Sequence, residues 1–385
     1  MEEVGICIGL DVHKNSVFLT QLKEDGSIAE QYEFKNSDES WLEFNKKYMS
    51  LNPEIALEIS TSGKYVARLL RDMGFSMHLA DAMKLSLIFN SSKKNDKEDS
   101  YKLAKLLRLG ELPEVHLPSR ESDDLRSLVR YRRSIGEEIT RIKNKIHALL
   151  SLHGITLKQS DIFGKSGLAE INRQSTKLSS AERVVMNHML SSVIQIKKNA
   201  MEIEDEMARM GHEKKDVGLL MPIPGINVYS AVAIISEIDD TKRFRSKEKF
   251  ASYTGLTPRQ DQSGSRDIRG YVSKHGPSML RFVLVTAAHS VIKYSKRMRE
   301  KYLHMARRIG AKRAIVSIAR ILAETVYTML SRNVEFMDSI DSLTERKINA
   351  MSARARKPSQ DPDISETVKL LREQRLRRMS EEPFS

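Results

Sequence analysis

The hydrophobic pattern changes period along the chain. Near the start, Ile6, Ile8 and Leu10 alternate with smaller residues, the two-residue period of a strand. Residues 16–23 and 28–34 read as two more strands, joined through Asp25-Gly26, a pair suited to a hairpin turn. A helix carrying Trp41, Leu42 and Phe44 follows. A strand over 54–59, a helix over 64–73, a strand over 76–80 and a helix over 82–89 come next. Three consecutive strands followed by alternating helices and strands describe a mixed sheet and not a bundle.

Beyond residue 119 the period lengthens. Ile135, Ile139, Ile142, Ile146 and Leu149 recur at spacings of four and three, as do Met186, Met189, Val193, Ile196, Ala200, Ile203, Met207 and Met210. Both rows are coiled-coil seams flanked by charges. Ser179 with Glu182 forms a capping box that opens the second helix. Residues 156–178 carry few apolar positions and read as a tip or loop. The seams could pair within one chain, as a helical hairpin, or between chains, as a dimerisation arm. The repeats do not separate these alternatives. From 216 to 335 the pattern is mainly helical. It opens on Pro222-Ile223-Pro224-Gly225-Ile226, with apolar helices over 228–238, 277–292 and 311–331 and a polar, glycine-containing stretch over 257–276. Residues 340–385 hold many charges and three prolines among few large apolar groups, and read as a mobile tail with a short helix near 364–378.

Charge narrows the partners. Lys and Arg total 64 against 51 Asp and Glu, a net charge of +13. Such an excess favours polyanions, because each cation placed on a phosphate releases condensed counterions. An anionic membrane surface would answer to the same charge, but no apolar run approaches the roughly 18 residues that would span a bilayer. The first residues, MEEVGICIGLDVHK, are acidic and run directly into a strand pattern, unlike a signal peptide. Cys7 is the single cysteine, so neither an intrachain disulfide nor a cysteine-rich zinc site is available. The expected compartment is the cytoplasm.

Four carboxylates stand at informative places. Asp11 ends the first strand in GLDVHK, and Glu58 ends the fourth in IALEIS. Asp96 and Asp99 open a helix in KKNDKEDS, three residues apart and so on one face. Strand ends and a nearby helix start could bring all four to one edge of the sheet. Such a cluster repels itself unless a cation intervenes. Hard oxygen donors suit Mg²⁺ or Mn²⁺. Two such ions about 3.5–4 Å apart can stabilise both the entering and the leaving oxygen of a phosphoryl transfer. Each residue also has a plainer role, as a turn former or as a partner of the helix dipole.

The later segments carry further candidates. PIPGI before an apolar helix resembles a helix-hairpin-helix turn, with Gly225 allowing backbone N–H groups to face a phosphate. An ordinary Pro-Gly helix start fits the same residues. The stretch GLTPRQDQSGSRDIRGYVSKHG places Ser263 beside Gly264, with Arg259, Arg266, Arg269 and Lys274 near it in sequence. A serine hydroxyl becomes a nucleophile only when its proton is taken or its anion is stabilised, and these cations could also steady a pentacovalent phosphate. A basic loop that only grips a DNA backbone is the competing reading.

Together, GLDVHK, the Glu58 strand, KKNDKED, PIPGI, the run from Arg243 to Pro258, QSGSRDIRGYVSKHG and the helix carrying Leu280-Arg281 resemble the DEDD transposases of insertion sequences. These are relatives of the pilin-gene invertases and of the bridge-RNA-guided recombinases, and the resemblance spans about residues 4–335. It implies a RuvC/RNase H-like mixed-sheet domain over 1–116, a helical coiled-coil arm over 117–213 and a mainly helical C-terminal transposase domain over 214–336; with the charged tail read from composition over 337–385, the chain is α/β plus all-α. It implies that Asp11, Glu58, Asp96 and Asp99 bind Mg²⁺, and that Ser263 forms a covalent phosphoserine link to DNA. It further implies a composite site shared between subunits of a dimer or tetramer, and a guide RNA that pairs with both DNAs. Two departures stand out: Gly63 and Tyr65 follow Glu58 later than in many relatives, and Pro277 stands where an Asn is common. Two rival readings remain. One is a RuvC-like Mg²⁺-dependent junction or flap endonuclease with a C-terminal DNA clamp. The other is a non-enzymatic nucleic-acid scaffold.

Overall fold

The computed structural model describes residues 6–88, 95–158, 162–263 and 266–358, without the side chains of 259–271. The chain divides into two compact units, Met1–Pro118 and Ser119–Ser385.

The first unit is built on a six-stranded sheet. Its elements run β1 (Cys7–Val12), β2 (Ser16–Leu22), β3 (Ile28–Lys35), α1 (Asp38–Tyr48), β4 (Glu54–Glu58), α2 (Thr61–Asp72), β5 (Ser76–Ala80), α3 (Ala82–Ile88), α4 (Asp96–Arg108) and β6 (Glu114–Val115). The strand order is β3-β2-β1-β4-β5-β6. β1 runs antiparallel to β2 and parallel to β4, and β4 runs parallel to β5. This mixed sheet is compatible with a RuvC-like fold. The alternation in β1 sorts its side chains onto two different faces. Ile8 and Leu10 join Ile55, Leu57, Trp41, Phe44, Val66 and Leu70 in one core. Cys7 joins Ala56, Ala80 and Leu103 in the other. Because that second face is lined by small residues, α4 lies close against β1.

The second unit is helical apart from one hairpin. It contains α5 (Arg120–Leu152), α6 (Lys165–Gln174), α7 (Ser180–His212), α8 (Lys215–Leu220), α9 (Val228–Ile238), α10 (Lys247–Tyr253), β7 (Pro258–Ser263), β8 (Arg266–Val272), α11 (Ser278–Tyr294), α12 (Lys296–Ile309), α13 (Ala311–Arg332) and α14 (Asp341–Ala355). α5 and α7 pack antiparallel within the chain. Arg132 pairs with Glu204 at one end and His153 with Glu182 at the other, each at 2.8 Å. Ile146, Leu150, Ile171 and Met186 form a separate apolar cluster at the distal end. The main core gathers α9, α11 and α13. α13 is the one described helix long and apolar enough to cross a membrane, which the sequence reading did not anticipate. Its row Ala314, Ile318, Leu322 and Val326 is fully buried in this core.

Several expectations need correcting. The region read as a loop over 156–178 contains α6, whose Ile171 seals the distal cluster. The polar stretch over 257–276 contains the antiparallel β7–β8 hairpin. Residues 341–355 are not tail but helix, and α14 buries Met351. Arg354 reaches Glu204 and Asp205, each at 3.0 Å, and Lys357 reaches Asp205 at 2.5 Å. The charges that read as a signature of mobility are the groups that dock this segment. The helix expected near 364–378 lies outside the described residues.

Candidate active site

The geometry begins with α4 resting on the sheet. A Cβ added at Gly9 would meet the Ser100 carbonyl oxygen at 2.0 Å and the Ala104 nitrogen at 2.6 Å, so only glycine lets α4 approach this far. A hydrogen-bond network, buried at Thr20 and Ser100, fixes the first turn of α4 to the strands. Thr20 and Ser100 hydroxyls meet at 2.7 Å, and Gln31 donates to Thr20 at 2.8 Å and to the Lys97 carbonyl at 3.0 Å. Asn95 caps the helix, its side chain accepting from the Lys97 N–H. The carboxylates of Asp96, Glu98 and Asp99 therefore sit in the first turn, where the helix dipole favours negative charge.

Asp11, at the end of β1, faces this turn. His13 bridges the two elements: its Nε2 lies 3.4 Å from Asp11 Oδ2 and 3.2 Å from Asp96 Oδ2. One ligand atom from each of Asp11, His13 and Asp96 falls within 4.8 Å of the others. Burial pushes the Asp11 carboxyl up to about 6. His13 opposes that rise, while Asp96, Asp99 and Glu58 add to it through like charge. Asp96, Asp99 and Glu58 thus each act on Asp11 through their charge, and Asp96 is the one of them brought within ligand distance of Asp11 and His13. Asp99 is also engaged by Lys102 Nζ at 3.1 Å. Glu58 ends β4 next to Ser60, which caps α2. Hard carboxylate oxygens with one imidazole make a donor set suited to a small divalent ion, which would also relieve the repulsion on Asp11.

His13 and Lys102 were not singled out in the sequence. His13 had a signal, since it stands two residues beyond Asp11 in GLDVHK, on the same side of an extended chain. Lys102 follows Asp99 by one helical turn, a spacing that also occurs in ordinary surface pairs.

The second unit carries the remaining candidates. Ser263 is the last residue of β7, paired in register with Arg266 of β8, and Gln260 is paired with Arg269. The side chains of Arg259, Ser263, Arg266 and Arg269 lie outside the described residues, as do Gly264 and Ser265. Lys274 is exposed just beyond β8 with φ +54°, and its N–H donates to the Gly255 carbonyl at 3.3 Å. Arg281 donates to the Gly276 carbonyl at 2.8 Å, pinning the base of the hairpin. Gly225 occupies the turn between α8 and α9 with φ +88°.

A DEDD-type transposase model matches residues 8–155, which contain all four carboxylates. A second model, for the transposase IS116/IS110/IS902 family, matches residues 217–303, from α8 through the hairpin and α11 into α12. The two define a DNA-processing enzyme of the transposase class, and a DEDD domain implies dependence on a divalent metal. The transposase of insertion sequence IS1111A from Coxiella burnetii is 22% identical over 338 residues, covering 86% of this chain and 91% of that protein. A probable family 20 transposase of Pseudomonas aeruginosa is 25% identical over 289 residues, 72% of this chain and 84% of its own. The IS1328 transposase of Yersinia enterocolitica is 25% identical over 290 residues, 73% and 82%. The chain belongs to the IS110/IS116/IS902 family of DEDD-type insertion-sequence transposases, which cut and rejoin DNA of a mobile element.

Proposed function

We propose that this transposase works through a covalent serine link to DNA, with Mg²⁺ or Mn²⁺ held by Asp11, Glu58, Asp96 and Asp99. The observation that carries the reading is the convergence on Asp11: a half-buried carboxylate at a strand end, joined through His13 to Asp96 and acted on by the charges of Asp99 and Glu58. A divalent ion bound there would draw charge from a phosphodiester and from its leaving oxygen.

The chain's own groups would do the rest. Ser263 would attack phosphorus, so that a new Oγ–P bond replaces a P–O bond of the DNA and the displaced sugar oxygen leaves as a hydroxyl. Arg259, Arg266, Arg269 and Lys274 would hold the phosphate oxygens as charge builds on them. Gly225 and the start of α9 would grip backbone phosphate. The Gln31–Thr20–Ser100 network would keep Asp96 and Asp99 facing Asp11. Attack by Ser263 needs its hairpin and the carboxylates at the same phosphodiester, within one subunit or between two subunits of a dimer or tetramer. Target choice would be delegated to an element-encoded RNA, which suits a basic protein that reads phosphate and helix shape.

The test is adduct trapping. Wild-type protein incubated with element-end DNA and Mg²⁺ is expected to yield a denaturation-resistant protein–DNA species. Ser263→Ala abolishes it while DNA is still bound, and Asp11→Asn abolishes both adduct and nicking. Metal-dependent nicking that survives Ser263→Ala would instead favour an endonuclease that uses water. Sequencing the RNA that co-purifies with the protein tests the guide.

A further inference from the structure

The turn between α8 and α9 gathers three main-chain carbonyls onto one cation. Lys347, from α14, donates its ammonium to the carbonyl oxygen of Met221, to that of Ile223 at 2.9 Å and to that of Ile226 at 2.9 Å. The side chains of Met221, Ile223 and Ile226 are fully buried in the main core, which fixes the backbone that carries these oxygens. The turn is also braced internally. Ile223 N–H donates to Leu220 and Ile226 N–H to Ile223, each at 3.1 Å. Gly225 allows the left-handed step, and a Cβ there would meet the Ser290 Cβ at 2.6 Å. The oxygens are therefore held in position by the core and not by the lysine alone.

The acceptors on Lys347 are neutral. Among the described residues no carboxylate is paired with it. Burial, with Arg346 alongside, pulls its pKa down to about 8, so it is still an ammonium at neutral pH. Convergent backbone carbonyls around a monovalent cation are the arrangement that replaces the hydration shell of potassium elsewhere in proteins. Ammonium and potassium ions have similar radii and accept the same oxygen donors. A cavity of about 410 Å³, lined by Asn227, Tyr229, Arg346 and Met351 among others, borders Lys347 and offers room for water ligands.

We propose that the 221–226 turn is a monovalent-cation site, and that its resident cation is the Lys347 ammonium carried in by α14. The lysine acts as a tethered ion. It neutralises the facing carbonyl dipoles and binds the C-terminal helix to the turn that leads into Asn227, the cap of α9. The inference goes beyond the transposition chemistry and does not depend on it.

Thermal unfolding of the full chain tests it, comparing potassium chloride with N-methyl-D-glucamine chloride at equal ionic strength, since the organic cation is too large for the turn. Wild type is expected to melt at the same temperature in both salts, its site being already filled. Lys347→Ala should melt roughly 5 °C lower in the organic salt and regain most of that loss, saturably, in potassium. Lys347→Met keeps the stem but fills the site with a methyl group, and should stay low in both salts. The idea is overturned if Lys347→Ala ignores potassium, matches wild type, or fails to fold in either salt. A potassium-dependent rise in wild type would also overturn it.

Discussion

Gly9 decides how closely α4 meets the sheet, and it does so by lacking a single carbon. A methyl group there would sit 2.0 Å from the Ser100 carbonyl oxygen. Gly9→Ala is expected to destabilise the first unit by about 1–3 kcal/mol, as overpacking does, and to move Asp96 and Asp99 away from Asp11. Urea unfolding checks the first effect. DNA nicking should fall further than the unfolded fraction accounts for, and a fully active Gly9→Ala protein would refute the second. At the far end of the sheet, His78 lies between Glu54, 2.5 Å from its Nε2, and Glu114, 2.7 Å from its Nδ1. Burial opposes its charge, but the two hydrogen-bonded carboxylates outweigh burial and raise its pKa. A raised histidine stabilises the fold fully below its ordinary pKa of about 6.5, and the contribution fades as pH climbs through the folded value. The melting difference between wild type and His78→Gln should therefore be large near pH 5.5 and shrink by about pH 9. A pH-independent difference would mean that His78 contributes only by packing. At this scale the carboxylates were legible, because strand ends and helix starts can be read from period and caps. The bridge through His13 was not, since it depends on where α4 lands.

Among the elements, the two 33-residue helices α5 and α7 were the most legible, because a seam repeated over many turns has few alternatives. The capping box on α7 is formed as its sequence implied: Ser179 accepts from the Glu182 N–H, and Glu182 accepts from the Ser179 N–H. Ser179→Ala should cost about 1 kcal/mol, visible as a lower denaturation midpoint with an unchanged m-value. His153 and Ser179 together hold the Glu182 carboxyl down to about 2. Their contribution is thus present above its usual range and is lost only as pH falls through that value. α12 and α14 were illegible for the opposite reason. α12 is dominated by charge and buries only Met298, and α14 buries only Met351. The position of α14 comes from partners far away in sequence, Glu204 and Asp205 on α7. The hairpin of β7 and β8 was missed because its strands lack the alternating apolar residues that mark a half-buried strand.

For the whole molecule, the +13 net charge sets an expectation for DNA binding. If about six phosphates are neutralised, affinity should fall roughly a thousandfold over a fourfold increase in salt. Fluorescence anisotropy with element-end DNA measures it, and an affinity flat in salt would contradict phosphate-dominated binding. The amino-acid order by itself determined the α/β beginning, the long helices, the buried apolar helices of the second unit and the residue types of a carboxylate site. Each of these follows from local period, capping and charge, which neighbours in sequence suffice to express. Only the tertiary structure decided that His13 joins Asp11 to Asp96, that the supposed tail contributes a docked helix, and that Lys347 closes a turn more than a hundred residues earlier. Those outcomes rest on backbone approach and on convergent polar atoms, and such convergence exists only once distant segments have packed.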